Sequence, residues 1–187
     1  MRIIGGKFRG LALASVGKGD AGAHLRPTTD RVRESIFNLL INGGYGDPVT
    51  GARVLDLFAG TGALGLEALS RGAARVTFVD DGVKARALIR QNIEKTRAMG
   101  VTDLYRRDAT RLGENRGAPY DLIFLDPPYG QGLGEIALAA ASVGGWLAPG
   151  ALVVWEESTA PVVPEGFEQL DQRRYGDTLV TILRAPE

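Results

Sequence analysis

The chain has 187 residues, 44% of them hydrophobic and 24% charged, with a formal net charge of zero. That balance predicts one globular domain able to bury a core, with at most a small appendage. Cysteine is absent and His24 is the single histidine, which excludes disulfides, thiolate metal sites and histidine-cluster zinc chemistry, so no metal is expected. No apolar run reaches the length of a membrane span and no signal-peptide core opens the chain, which predicts a cytoplasmic protein with no membrane partner.

The charge is unevenly spread. Residues 1–35 carry seven basic side chains against three acidic ones. A basic leading segment ahead of a mildly acidic body fits a phosphate backbone, with Arg2, Lys7, Arg9, Arg26 and Arg31 as candidate contacts and Arg33 in the same segment.

Residues 1–14 read as a short hairpin or arm turning at Gly5-Gly6. Residues 16–24 are Gly-rich and read as a loop. The run Arg26-Pro27-Thr28-Thr29-Asp30 starts a helix that Thr29 or Asp30 can cap, with Val32, Ile36, Leu39 and Leu40 on one face. Residues 42–50 form a linker. Strand and helix then alternate: strands at 53–58, 75–80, 103–107, 120–126 and 151–156, with helices at 61–71, 83–99 and 134–143. The second helix carries Ala85, Leu88, Ile89 and Ile93 as its inner stripe. Two closely spaced strands, 167–175 and 178–183, end the chain. The pattern predicts a doubly wound, mostly parallel α/β sheet of seven strands with an antiparallel final strand. We divide it into a basic arm, 1–25, and a main domain, 26–187.

Residues 56–65, Asp56-Leu57-Phe58-Ala59-Gly60-Thr61-Gly62-Ala63-Leu64-Gly65, join the first main strand to its helix. They match the dinucleotide pattern G-x-G-x-x-G, and Asp80 stands twenty residues after Gly60. Asp56 argues against a phosphorylated coenzyme, because a fixed carboxylate in the same crevice repels a pyrophosphate. It favours a ligand with an ammonium group, and S-adenosylmethionine has one and no phosphate. Gly60 and Gly62 allow close backbone approach. Asp80 or its neighbour Asp81 accepts from ribose hydroxyls, with Asp80 preferred because it ends its strand. Asp108, ahead of Ala109, either accepts from the adenine amino group or caps the turn that follows.

Asp126-Pro127-Pro128-Tyr129 ends an apolar strand. Proline cannot donate to a sheet ladder and restricts the residue before it, so the strand ends in a stiff corner. The Asp126 carboxylate and the Pro127 carbonyl are two acceptors suited to the two hydrogens of an amino group. Tyr129 suits a flat base. Accepting both hydrogens frees the nitrogen lone pair for methyl transfer, and stacking fixes the plane of attack. A base in a duplex must be unstacked to reach such a corner.

With these residues in view, the chain resembles the bacterial 16S rRNA (guanine(966)-N2)-methyltransferases, the RsmD family, over nearly its whole length. The resemblance rests on Met1-Arg2-Ile3-Ile4-Gly5-Gly6, Lys7-Phe8-Arg9-Gly10, residues 26–38 from Arg26-Pro27-Thr28-Thr29-Asp30 onward, the glycine loop, the 126–129 corner and Tyr175-Gly176-Asp177-Thr178. It implies methylation of one guanine of small-subunit rRNA at N2, in a partly assembled subunit, by a monomer. It implies cofactor roles for Asp56, Gly60, Thr61, Gly62, Asp80 and Asp108, with Phe58, Ala59 and Ala109 beside them, and target-base roles for Asp126, Pro127 and Tyr129. Thr28 joins the candidate substrate contacts. The competing expectations are an amino-methyltransferase acting on DNA adenine or cytosine or on a protein glutamine, and a non-catalytic nucleotide- or RNA-binding module.

Overall fold

The computed structural model describes residues 1–16 and 28–187. Seven strands form one sheet: β1 (Arg53–Leu57), β2 (Arg75–Val79), β3 (Thr102–Tyr105), β4 (Tyr120–Leu125), β5 (Leu147–Glu157), β6 (Glu168–Tyr175) and β7 (Thr178–Arg184). Their order is β3-β2-β1-β4-β5-β7-β6. β1 to β5 pair in parallel, and β7 runs antiparallel to both β5 and β6. The expected architecture therefore holds, including the antiparallel last strand.

Among the described residues, α1 (Asp30–Asn42) precedes the sheet, and α2 (Ala63–Ser70), α3 (Val83–Lys95) and α4 (Leu133–Val143) connect its parallel strands. Alternate residues of the inner strands supply both faces. On one face Val54, Phe78, Leu122 and Phe124 pack under α1, α2 and α3. On the other, Leu55, Ile123, Leu125 and Trp155 pack under α4 and Trp146. Buried on both sides, these strands read as nearly continuous apolar runs. Among the described residues no helix is long and apolar enough to cross a membrane.

Thr29 caps α1 by accepting the Val32 N–H at 3.2 Å. Ile36, Leu39 and Leu40 are buried as expected, and so are Phe37 and Arg33. α3 is shorter than its sequence pattern, ending at Lys95. Thr96 folds its hydroxyl back onto the carbonyls of Asn92 and Ile93, and Arg97 takes a left-handed φ of 53°, which stops the helix. Asn92, not Leu88, completes its buried stripe.

The first fourteen residues form the expected hairpin, closed by an Arg2–Ala12 bridge. It lies against α2 and α3, with Ile3 and Leu13 in the main core. Buried Glu67 of α2 accepts the N–H groups of Ile4 and Gly5, each at 2.9 Å, and the guanidinium groups of Arg33 at 3.1 Å and Arg71 at 2.9 Å. Asn92 bonds to both backbone groups of Ala14 and to the Thr61 carbonyl. This arrangement corrects the reading of Arg33 as part of the phosphate-binding segment. Its side chain is fully buried between Glu67 and Asp30 and also donates to the Arg2 carbonyl.

Candidate active site

Asp56 ends β1 one residue early, 1% exposed, on the face covered by α2. Its Oδ2 accepts the Gly65 N–H at 3.0 Å. Burial pushes its carboxyl well above the ordinary range, and the nearby charges of Asp126 and Asp80 add to the rise. The turn that follows is left-handed at Phe58 (φ 56°), Gly60 (61°) and Gly62 (81°). Phe58 is the informative one, since a bulky residue there carries strain of the kind found at ligand sites. Gly65 has a packing reason: a Cβ would come within 2.5 Å of the Phe78 ring and 3.1 Å of Asp56 Oδ2.

Asp80 follows β2. Its Oδ2 accepts the Gly60 N–H at 3.0 Å and its Oδ1 the Gly82 N–H at 2.9 Å. Burial outweighs these bonds and raises its carboxyl above the ordinary range. Asp80 thus ties the glycine turn to the neighbouring strand, while Asp81 is exposed. Ala59 and Thr61 are buried within the turn, and Met1 Sδ sits 3.6 Å from Thr61 Oγ1. Asp108 is exposed, and its Oδ1 caps the short turn Ala109–Arg111 by accepting the N–H and hydroxyl of Thr110. Those bonds hold its carboxyl below the ordinary range. Buried Ala109 lies next to it.

The corner after β4 is built by strand register. Leu125 pairs with Trp155 on β5, so Asp126 and Glu156 stand next to each other, one step further along. Thr28, two residues before α1, spans them. Its Oγ1 lies 3.2 Å from Asp126 Oδ2 and 3.0 and 3.2 Å from the two oxygens of Glu156. Pro127 is buried and Pro128 exposed. The loop is held at its far end by Glu157, whose Oε1 accepts the Gly130 N–H at 3.0 Å. Tyr129 Oη lies 2.8 Å from Thr178 Oγ1. A cavity of about 670 Å³ opens here, walled by Thr28, Arg31, Tyr129, Glu156, Tyr175 and Thr178 among others.

The structure thus brings together Asp56, Asp80, the glycine turn, Asp126, Tyr129, Thr28 and Arg31 at the carboxyl ends of the parallel strands, where open α/β sheets bind ligands. Arg2, Lys7 and Arg9 are exposed on the hairpin and do not line the cavity. Arg2 Nη1 donates to Gly10, and Lys7 Nζ lies 5.0 Å over the Phe8 ring. Arg26 falls outside the described residues. Sequence reasoning missed Glu156, Thr178 and Asn92. Glu156 had a visible signal, since it ends an apolar strand as Asp126 does. Thr178 lay inside a stretch that carried the resemblance but had no role attached.

The acidic floor suits a cationic ligand better than a phosphorylated one. β7, inserted antiparallel between β5 and β6, also departs from the dinucleotide-binding strand order. Together they define the class: Rossmann-like methyltransferases that use S-adenosylmethionine. The chain belongs within that class to the RsmD family, whose model, described as Conserved hypothetical protein 95, matches residues 1–184. It is 40% identical over 171 residues to Ribosomal RNA small subunit methyltransferase D of Escherichia coli, covering 89% of this chain and 81% of the relative. It is 33% identical over 182 residues to the protein of the same name from Haemophilus influenzae, covering 94% and 89%. The solved structure of YhhF from Escherichia coli superposes with a TM-score of 0.83 at 35% identity, covering all of this chain and 98% of that one.

Proposed function

We propose that this methyltransferase acts on the exocyclic N2 amino group of guanine 966 of 16S rRNA, in the small ribosomal subunit or an assembly intermediate of it, as a monomer. The observation that carries the reading is the corner itself: Tyr129 lines a cavity of about 670 Å³, Thr28 of the same lining bonds to Asp126, and Asp126 is near enough for its charge to act on buried Asp56. The relatives named for methylation of small-subunit rRNA support the substrate class.

S-adenosylmethionine, when bound, supplies a methyl group on a cationic sulfur. Asp56 holds its ammonium group, Asp80 accepts from the ribose and Asp108 from the adenine amino group. The backbone of Phe58, Ala59, Gly60, Thr61 and Gly62, with Ala109, packs against the nucleoside. Asp126 and the Pro127 carbonyl accept the two N2 hydrogens and draw the nitrogen toward tetrahedral geometry. Pro128 stiffens the corner, and Tyr129 stacks on the base. After transfer the nitrogen is strongly acidic, and its proton passes to Asp126 or to water. Thr28 and Arg31 border the flipped nucleotide, while Arg2, Lys7, Arg9 and Arg26 take flanking phosphates.

The test is tritium transfer from labelled S-adenosylmethionine to small subunits, naked DNA and bulk protein in parallel. Label in the subunits alone is expected. Label in DNA or protein would overturn the substrate assignment.

A further inference from the structure

Glu156 has no part in the amino-group chemistry above, yet it walls the same cavity while only 2% exposed. Its carboxyl is hydrogen-bonded to that of Asp126, and the Thr28 hydroxyl spans both. Neighbouring carboxyl charges at a largely buried site disfavour each other, which favours one proton shared by the pair. Burial and the charge of Asp126 both push Glu156 well above the ordinary range. Whichever of the two carries that proton, Glu156 keeps an oxygen free to accept. Glu156 thus presents an acceptor to the cavity next to the Asp126 corner.

Base edges differ in what they present beside an amino group. Guanine places N1–H next to its N2 amino group, a row of donors. Adenine and cytosine place a ring-nitrogen acceptor next to theirs. Acceptor facing acceptor in a buried site leaves both unpaired and repelling, which penalises the wrong base.

We propose that Glu156 accepts the N1–H of the target guanine while Asp126 and Pro127 take its N2 amino group, so that Glu156 selects guanine against bases that carry a ring acceptor at that place. This inference rests on the guanine-N2 reading and assigns the residue that enforces it.

The experiment uses small subunits reconstituted with 16S rRNA that carries guanine or 2-aminopurine at the target position. 2-Aminopurine keeps the 2-amino group but has an acceptor at N1. The intact protein is expected to methylate guanine about 10–100-fold faster in single turnover, the discrimination typical of one base-edge contact. Glu156→Ala brings that ratio close to one. Glu156→Gln, whose amide keeps a carbonyl acceptor and can donate to Asp126, keeps the ratio. Equal rates on the two bases by the intact protein, a result that needs no variant, would overturn the role of Glu156 alone. So would an undiminished ratio in a Glu156→Ala protein that binds S-adenosylhomocysteine normally. No transfer to guanine-bearing subunits would instead defeat the guanine reading, and this inference with it.

Discussion

The phenol oxygen of Tyr129 lies 2.8 Å from the hydroxyl of Thr178, a contact that joins the loop after β4 to the first residue of β7. The antiparallel last strand therefore does more than finish the sheet. It holds the ring proposed to stack on the target base. Removing one neutral hydrogen bond costs about 1 kcal/mol. Thr178→Val is thus expected to slow methyl transfer by roughly fivefold, with unchanged affinity for S-adenosylhomocysteine. Tyr129→Phe should do the same, and the double variant should be no worse than either single one. Fully additive effects in this double-mutant cycle would show that the contact has no positioning role.

Asp126→Ala is expected to cut the single-turnover rate by about 10²–10³-fold, the effect of losing one preorganised partner of the reacting group. Calorimetric binding of S-adenosylhomocysteine should persist. A rate within tenfold of the parent would remove Asp126 from the chemistry.

Asp56, Asp80 and Glu156 all have carboxyls raised by burial. Between the ordinary carboxyl range near 4 and these raised values, the folded chain holds protons that the unfolded chain has lost. Unfolding free energy therefore falls as pH rises through that window. Asp47 and Asp108, held low by hydrogen bonds, act in the opposite sense and only at more acidic pH. Scanning calorimetry of the ligand-free protein should show Tm declining as pH rises above the ordinary carboxyl range. Asp56→Asn should flatten that decline and raise Tm at pH 8 by a few degrees, at about 2–4 °C per kcal/mol. The same variant should weaken S-adenosylhomocysteine binding by about 10–100-fold, through loss of a charge-assisted hydrogen bond. A lower Tm at pH 8 would mean that Asp56 is ionised at no cost in the free protein.

Arg33 and Glu67 form a pair whose side chains are both fully buried. Breaking such a pair leaves an uncompensated charge in the core, so Arg33→Met is expected to cost about 3–5 kcal/mol, read as a Tm lower by roughly 10 °C. A loss below about 1 kcal/mol would show that Arg71 and the hairpin N–H groups satisfy Glu67 without it.

What could be read from the chain, and what could not, divides along the range of the interactions. The sheet, the glycine turn and the 126–129 corner announce themselves in a few consecutive residues, through apolar runs punctuated by glycine and proline. Even Asp80, twenty positions from Gly60, follows from the regular length of a strand–helix–strand unit. Glu156 and Thr178 join the corner only through the pairing of β4 with β5 and of β5 with β7, registers that no local pattern encodes. Arg33 misled for a related reason. A charge count treats every arginine as solvated, and its partner Glu67 lies on another helix, 34 positions away.

The most direct measurement of the central claim is mass-spectrometric mapping of modified guanines in 16S rRNA from cells lacking this gene, with and without the protein restored. One N2-methylguanine, at position 966, is expected to disappear and return. An unchanged 966, or a lost methyl on any other base, would contradict that claim.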